Sequence, residues 1–123
     1  MPLLPENKPN HLLGIGDLYS VDKCVTSGID TFDSSHPTRA ARHGTVFTHN
    51  GLVKILNAKH RTDFGPIEKG CECYTCRHYS LAYLQHLMKA KELTGYTLAT
   101  IHNLHFMVQL MKNYRTRIMN DEI

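Results

Sequence analysis

The 123-residue sequence contains no apolar run approaching the ~20 residues that a helix needs to span a bilayer, so no membrane-crossing segment is expected. Its opening, Met1-Pro2-Leu3-Leu4-Pro5, lacks the basic region and long apolar stretch of a secretory signal. These two absences predict a cytosolic protein with reduced thiols. Internal repeats and low-complexity stretches are also missing. Charge of one sign is scarce: 14 Lys and Arg stand against 11 Asp and Glu, a formal +3. That balance permits a nucleic-acid partner but does not suggest one without a motif.

What is present reads as one globular domain. Apolar residues make up 41%, and 5 Pro and 8 Gly are modest for the length. A chain this short buries a core on a thin stability margin. Met1 to Asn10 reads as an extended lead-in. His11 to Gly16 reads as a short buried strand ending in a glycine turn, and Ser20 to Ser27 as a helix capped by Ser20 and stopped at Gly28. Ile29 to Phe32 forms a second strand, so this stretch predicts a βαβ unit with parallel strands.

Beyond it, Thr45 to Thr48 and Leu52 to Ile55 flank His49-Asn50-Gly51, a hairpin signal. Asn57 to Gly70 looks irregular. Ser80 caps a predicted helix from Leu81 to about Leu93, ended by Gly95. A last long helix runs from about Leu98 to Met119. Its expected core face is Ile101, Leu104, Val108, Met111 and Ile118.

The sharpest chemical signal is Cys71-x-Cys73-x2-Cys76 followed by His102, with Cys24 isolated upstream. Zinc takes four soft or borderline ligands in a tetrahedron, and closely spaced thiolates on a loop supply three of them. Three clustered cysteines and one leftover do not pair off as disulfides, so metal ligation is the better reading. His102, in the first turns of the long helix, can point back at the loop. Spacing alone leaves His78, His86 and His105 as competitors for the fourth position. Four protein ligands leave no open position, so the Zn2+ would be structural.

Several segments together resemble the bacterial tRNA-guanine transglycosylases, which form queuosine in tRNA. Leu13-Gly14-Ile15-Gly16 resembles that family's Met-Gly-Val/Ile-Gly strand end, and Gly28-Ile29-Asp30-Thr31-Phe32-Asp33 its nucleophile strand. Pro37-Thr38-Arg39-Ala40-Ala41-Arg42 resembles its Pro-Thr-Arg-x-x-Arg loop. Cys71-Glu72-Cys73-Tyr74-Thr75-Cys76 and Thr100-Ile101-His102-Asn103 resemble its zinc motif, which selects His102 as fourth ligand. Asp33-Ser34-Ser35 departs from the commoner Asp-Cys wording, and Leu13 stands where a methionine usually lies against the substrate base. Neither change removes a reacting group.

The resemblance implies an α/β fold, the C-terminal fragment of a TIM-like (β/α)8 barrel, with residues 1–44 as a βαβ barrel segment. Residues 45–123 would form an inserted zinc-binding subdomain and a C-terminal long helix. It implies exchange of guanine at the anticodon wobble position for queuine or preQ1, with Asp33 as nucleophile. The tRNA path would be lined by Gly14, Ile15, Gly16, Asp17, Leu18, Tyr19 and Ser20, and by Thr38, Arg39, Ala40, Ala41 and Arg42.

Base exchange on an intact ribose with retained configuration calls for two displacements at C1′, which a carboxylate nucleophile provides. Without the resemblance, an aspartate after a strand is more often a turn or cap residue, and the two arginines a solvated face. A (β/α)8 barrel takes about 250 residues. The first six strands are therefore expected on another stretch of polypeptide, as is the family's second catalytic aspartate. Three readings stay open: an enzyme fragment needing a partner chain, a non-catalytic zinc module, and an accessory subunit. A homodimer is implied for the complete enzyme.

Overall fold

The computed structural model describes residues 3–123, so Met1 and Pro2, the start of the expected lead-in, lie outside the described residues. The expected βαβ unit is present: β1 (His11–Leu12), α1 (Leu18–Thr26) and β2 (Thr31–Phe32). The strands are parallel, with His11 opposite Thr31 and Leu12 opposite Phe32. They are shorter than the sequence suggests. Gly14 turns to φ +71° and ends the extended run. The Ile29 N–H is committed to the end of α1, donating to the Cys24 carbonyl at 3.0 Å, so pairing begins only at Thr31. The first strand is not buried either, since Leu13 is 77% exposed. A two-stranded ladder has no further strands to cover it.

The cap of α1 also differs from expectation. The Asp17 carboxylate, not Ser20, caps the helix, accepting from the Ser20 N–H at 3.0 Å. That bond is the first cause of an Asp17 pKa below the ordinary carboxylate value. The segment expected as an arginine loop is a helix, α2 (His36–Arg42), with Pro37 in its first turn. Proline fits there, because its missing N–H has no helical partner to lose.

The hairpin follows as β3 (Thr45–Thr48) and β4 (Gly51–Lys54), joined by the two-residue turn His49-Asn50. Gly51 opens β4 at φ +116°, where a side chain would be strained. The irregular stretch contains a 3-10 turn over Ala58–Thr62. Three helices close the chain: α3 (Tyr74–His78), α4 (Leu81–Lys89) and α5 (Leu93–Met119). As expected, Ser80 caps α4, accepting from the Tyr83 N–H at 3.1 Å.

Gly95 does not end α4. The chain reverses earlier, at Lys91 with φ 57°, and Gly95 sits buried in the first turn of α5. A Cβ there would come within 2.9 Å of the Leu87 Cβ. The glycine is spent on the close crossing of two helices rather than on a stop.

The core face of α5 matches expectation only in part. Ile101 and Met111 are half-buried, Met111 against the cluster of Val21, Val25 and Tyr114. Leu104, Val108 and Ile118 are exposed, whereas Leu98, Ala99, His102, Asn103, Phe106 and Tyr114 are buried. Two clusters lie on that buried face. One gathers Leu84, Leu87 and Met88 of α4 with Leu98, Ala41, Val46 and Ile55. The other packs Val21 and Val25 of α1 against Tyr114, with Phe32 and Met107 at its border. The Tyr114 hydroxyl donates to Asp22 at 2.8 Å, and burial first, then this bond, pushes its pKa up to about 12.

One polar residue ties the layers together. Asn103, fully buried, accepts from the Phe47 N–H at 3.1 Å and donates to the carbonyls of Pro37 and Thr45, both at 3.0 Å. It thereby joins α5 to the start of α2 and to β3. Asn103→Ala strands three backbone groups, two of them in buried bonds, at about 1–3 kcal/mol each, part of which water and relaxation recover. We expect about 3 kcal/mol lower stability in urea unfolding, and a loss under 1 kcal/mol would show that these bonds contribute little.

Candidate metal centre and candidate active site

The three clustered cysteines come from two local structures. Cys71 follows a turn at Gly70, and Cys73 is the N-cap of α3, its sulfur accepting from the Cys76 N–H at 3.3 Å. That bond folds the Cys-x2-Cys segment so that both sulfurs face the same side. Thr75, fully buried, fastens α3 to α5 by donating to the Leu98 carbonyl at 2.6 Å. One helical turn further along α5, His102 points at the sulfurs, with Nδ1 at 3.7, 3.4 and 3.4 Å from Cys71, Cys73 and Cys76.

These separations can be compared with a zinc tetrahedron. Zn–S near 2.3 Å and Zn–N near 2.05 Å give an S···N edge of about 3.6 Å. All four donor atoms lie within 4.8 Å of one another, so the cluster can hold a metal ion. On the far side of the ring, His102 Nε2 donates to the Phe47 carbonyl at 2.7 Å. That bond fixes the tautomer that leaves Nδ1 as a lone-pair donor, as is usual for ligating histidines. His102 is fully buried, so its ring is held from both ends.

The thiols behave electrostatically as a shared site. Cys73 is held well below the usual thiol range, first by the Cys76 thiol's hydrogen bond, and Cys76 is pushed up, first by that same bond. Burial is the first cause of the rise at Cys71. Three thiolates packed this closely repel one another, and a divalent cation among them is what permits all three to ionise. Of the competing histidines, His78 and His86 are exposed and His105 is half-buried. None joins the cluster.

Asp33 follows β2 directly and is exposed, with its side chain reaching back across the parallel pair. One oxygen, Oδ1, accepts from the Gly14 N–H at 3.2 Å and meets His11 Nε2 at 3.0 Å. The histidine bond first, and then the glycine amide, hold the Asp33 carboxyl below its ordinary pKa. It is therefore ionised at neutral pH. Asp30, on the other strand face, is engaged elsewhere, accepting from the Asn10 N–H at 2.7 Å.

The structure brings four of the twelve residues of the expected RNA path into one cleft with Asp33. Gly14, Gly16, Asp17, Asp33, Ser34 and Arg39 line one open cleft of about 540 Å3. A Cβ on Gly16 would overlap Ser34, so glycine is what allows the two segments to approach. Arg39 donates from Nη2 to the Ser35 hydroxyl at 2.7 Å, which aims its guanidinium along the cleft. Arg42 is exposed one helical turn on, sharing a face of α2 with Arg39, but it does not line the cleft.

Of the remaining path residues, Tyr19 is 73% exposed, while Ile15, Leu18, Ser20, Thr38 and Ala40 are half-buried. Ala41 is fully buried against the core, so its contribution is to seat α2. Sequence reasoning missed His11 and Ser35 at this site. The signal for His11 was the period of a strand, because His11, Leu13, Thr31 and Asp33 alternate onto one face of the parallel pair.

No helix among the described residues is long and apolar enough to cross a membrane. A family profile described as queuine tRNA-ribosyltransferase matches residues 1–123. A queuine tRNA-ribosyltransferase of Protochlamydia amoebophila is 61% identical over 123 residues, which is all of this chain and 32% of that protein. One of Desulforamulus reducens is 49% identical over the same 123 residues, 33% of its length. One of Lactococcus lactis subsp. cremoris is 51% identical over 122 residues, 32% of its length. The chain thus spans about a third of the length of the curated relatives it matches.

Proposed function

Because the chain belongs to the queuine tRNA-ribosyltransferase family, we propose that it carries the nucleophile strand, an RNA-facing helix and the structural zinc site of a tRNA-guanine transglycosylase. Asp33, ionised, exposed and set at the end of β2 in a cleft with Arg39, is the observation that supports this most directly. In a (β/α)8 barrel, β1 and β2 would be the last two strands, and chemistry sits at the C-terminal ends of strands.

The exchange runs as two displacements. Asp33 forms a bond to C1′ as the C1′–N9 bond to guanine breaks, its electron pair leaving with the base. The base takes up a proton from a second carboxyl group on the other barrel strands. The incoming queuine or preQ1 loses its ring-nitrogen proton to that second carboxylate and attacks C1′, and the Asp33–C1′ pair returns to the Asp33 carboxylate. The target guanine must first leave its stack, at a cost of a few kcal/mol in a loop. Arg39 and Arg42, on one face of α2, would hold the flanking phosphates. Cys71, Cys73, Cys76 and His102 would hold a structural Zn2+ that supplies no chemistry and would fix α3 and β3 against α5. A tRNA-modifying role is compatible with a cytoplasmic location, which belongs to the proposal, as does a homodimer for the complete enzyme.

Labelled guanine exchange tests this. The chain combined with a polypeptide supplying the other barrel strands should incorporate guanine into tRNA, and the chain alone should not, because two parallel strands cannot close a barrel. In the combined protein, Arg39→Ala and Arg42→Ala should each reduce the salt dependence of tRNA binding by roughly one phosphate contact. Exchange by neither preparation, with tRNA binding retained, would favour the non-catalytic module. Exchange by the chain alone would overturn the need for a partner.

A further inference from the structure

The two oxygens of Asp33 are not equivalent. Oδ1 is occupied from two sides, by His11 Nε2 at 3.0 Å and the Gly14 N–H at 3.2 Å. Among the described residues no hydrogen bond reaches Oδ2. His11 is itself fastened, since its Nδ1 lies 2.7 Å from the Thr31 hydroxyl. Thr31 is its register partner across the parallel pair. A hydroxyl donating to Nδ1 leaves the proton on Nε2, facing Asp33. Thr31, His11 and Asp33 thus form a chain of donors that ends on one carboxylate oxygen, built from the strand pairing itself.

We propose that His11 is a positioning residue for the nucleophile, holding Oδ1 so that Oδ2 is the attacking oxygen. This rests on the reading of Asp33 as nucleophile. When Oδ2 bonds to C1′ and guanine departs with the C1′–N9 pair, Oδ1 becomes the carbonyl oxygen of a ribosyl ester and its two hydrogen bonds weaken. When the incoming base attacks C1′, the ester pair returns to the carboxylate and both bonds strengthen again. The His11 N–H therefore assists departure of the carboxylate more than its attack. Removing it slows breakdown of the ester more than its formation, so the covalent intermediate accumulates.

The other charged groups around Asp33 are few. Asp17, His36 and Arg39 line the cleft on one side, and Asp30, Lys112 and Arg115 the groove on the other. None of them donates to the carboxylate among the described residues.

The first test uses the chain itself. Carboxyl NMR titration should find Asp33 below the ordinary range in the parent, moved upward in His11→Phe and restored in His11→Gln, whose amide reaches the same oxygen. Asp17, which caps α1 by accepting from the Ser20 N–H, serves as the internal control and should not move. An Asp33 titration unchanged in His11→Phe, with Asp17 intact, overturns the proposal. If His11→Phe disturbs Asp17 as well, the His11→Gln comparison decides, and failure of His11→Gln to match the parent also overturns it.

The second test uses the exchange-competent combined protein. His11→Phe should lower turnover about tenfold, the low end for a hydrogen bond to a charged group, while raising the trapped RNA adduct per active site. A fall in turnover with no gain in adduct reduces His11 to a structural residue. If Asp33→Asn still forms the adduct, the nucleophile reading itself has failed, which is a separate result.

Discussion

Stripping the metal from the Cys71–Cys73–Cys76–His102 cluster is expected to unfold the hairpin and α3 and to loosen α2. Structural zinc contributes about 10–16 kcal/mol in small zinc modules, against roughly 5–15 kcal/mol for the whole stability of a domain. Even a fraction of that sum exceeds the margin of a 123-residue chain. The loss propagates because His102 holds the Phe47 carbonyl and its neighbour Asn103 holds the Phe47 N–H.

Protein prepared without chelator should contain about one zinc per chain. A strong chelator, or Cys73→Ala, should remove it together with much of the cooperative thermal transition. The α4–α5 contact of Leu84 and Leu87 with Leu98 should persist longest, being apolar and close in sequence. A metal-free protein with an unchanged melting curve would sink the assignment. Full zinc affinity in Cys73→Ala would show that the ligand set is wrong.

Asp33→Asn should abolish both guanine exchange and the covalent RNA adduct in the combined protein. An amide oxygen carries no negative charge and cannot take up a sugar carbon and later release it as a carboxylate. Loss of a nucleophile costs about 10^4-fold or more in turnover in enzymes of comparable logic. The substitution is nearly isosteric, and the amide oxygen can still accept from Gly14 and His11, so folding and tRNA binding should be unchanged. Denaturing electrophoresis of enzyme mixed with tRNA reads the adduct directly. An adduct that persists in Asp33→Asn would return Asp33 to a turn residue that happens to follow a strand.

The metal site was the most legible part of the sequence, because ligand chemistry forces a spacing that little else imposes. The βαβ order was legible too, from two apolar stretches flanking a capped helix. The cap itself was not, since Asp17 and Ser20 are both good cap residues three positions apart and only the backbone decides between them. Helix α2 was not legible through the resemblance alone, which presents its segment as a loop motif, although Pro37 suits the first turn of a helix.

The phase of α5 was misread for a more instructive reason. Its buried face includes His102 and Asn103, one pointing at the sulfurs and the other clamping three backbone groups. A search for apolar periodicity discounts both residues and settles on the neighbouring stripe of Leu104 and Val108, which the structure leaves exposed. Two polar residues occupy core positions of α5 and so displace the hydrophobic signal.

That adjacency has a thermodynamic consequence. His102 closes the metal cluster, and the next residue, Asn103, grips the Pro37 carbonyl at the head of the helix that bears Arg39 and Arg42. A cation that stiffens this turn of α5 therefore also stiffens the arginine helix. Coupling between two binding events is reciprocal, so whatever factor the metal adds to RNA affinity, bound RNA returns to the affinity for metal. If RNA binds this helix, zinc should be held more tightly by the RNA-bound protein than by the free one, and equilibrium competition by a chelator becomes a gauge of how firmly α2 is held.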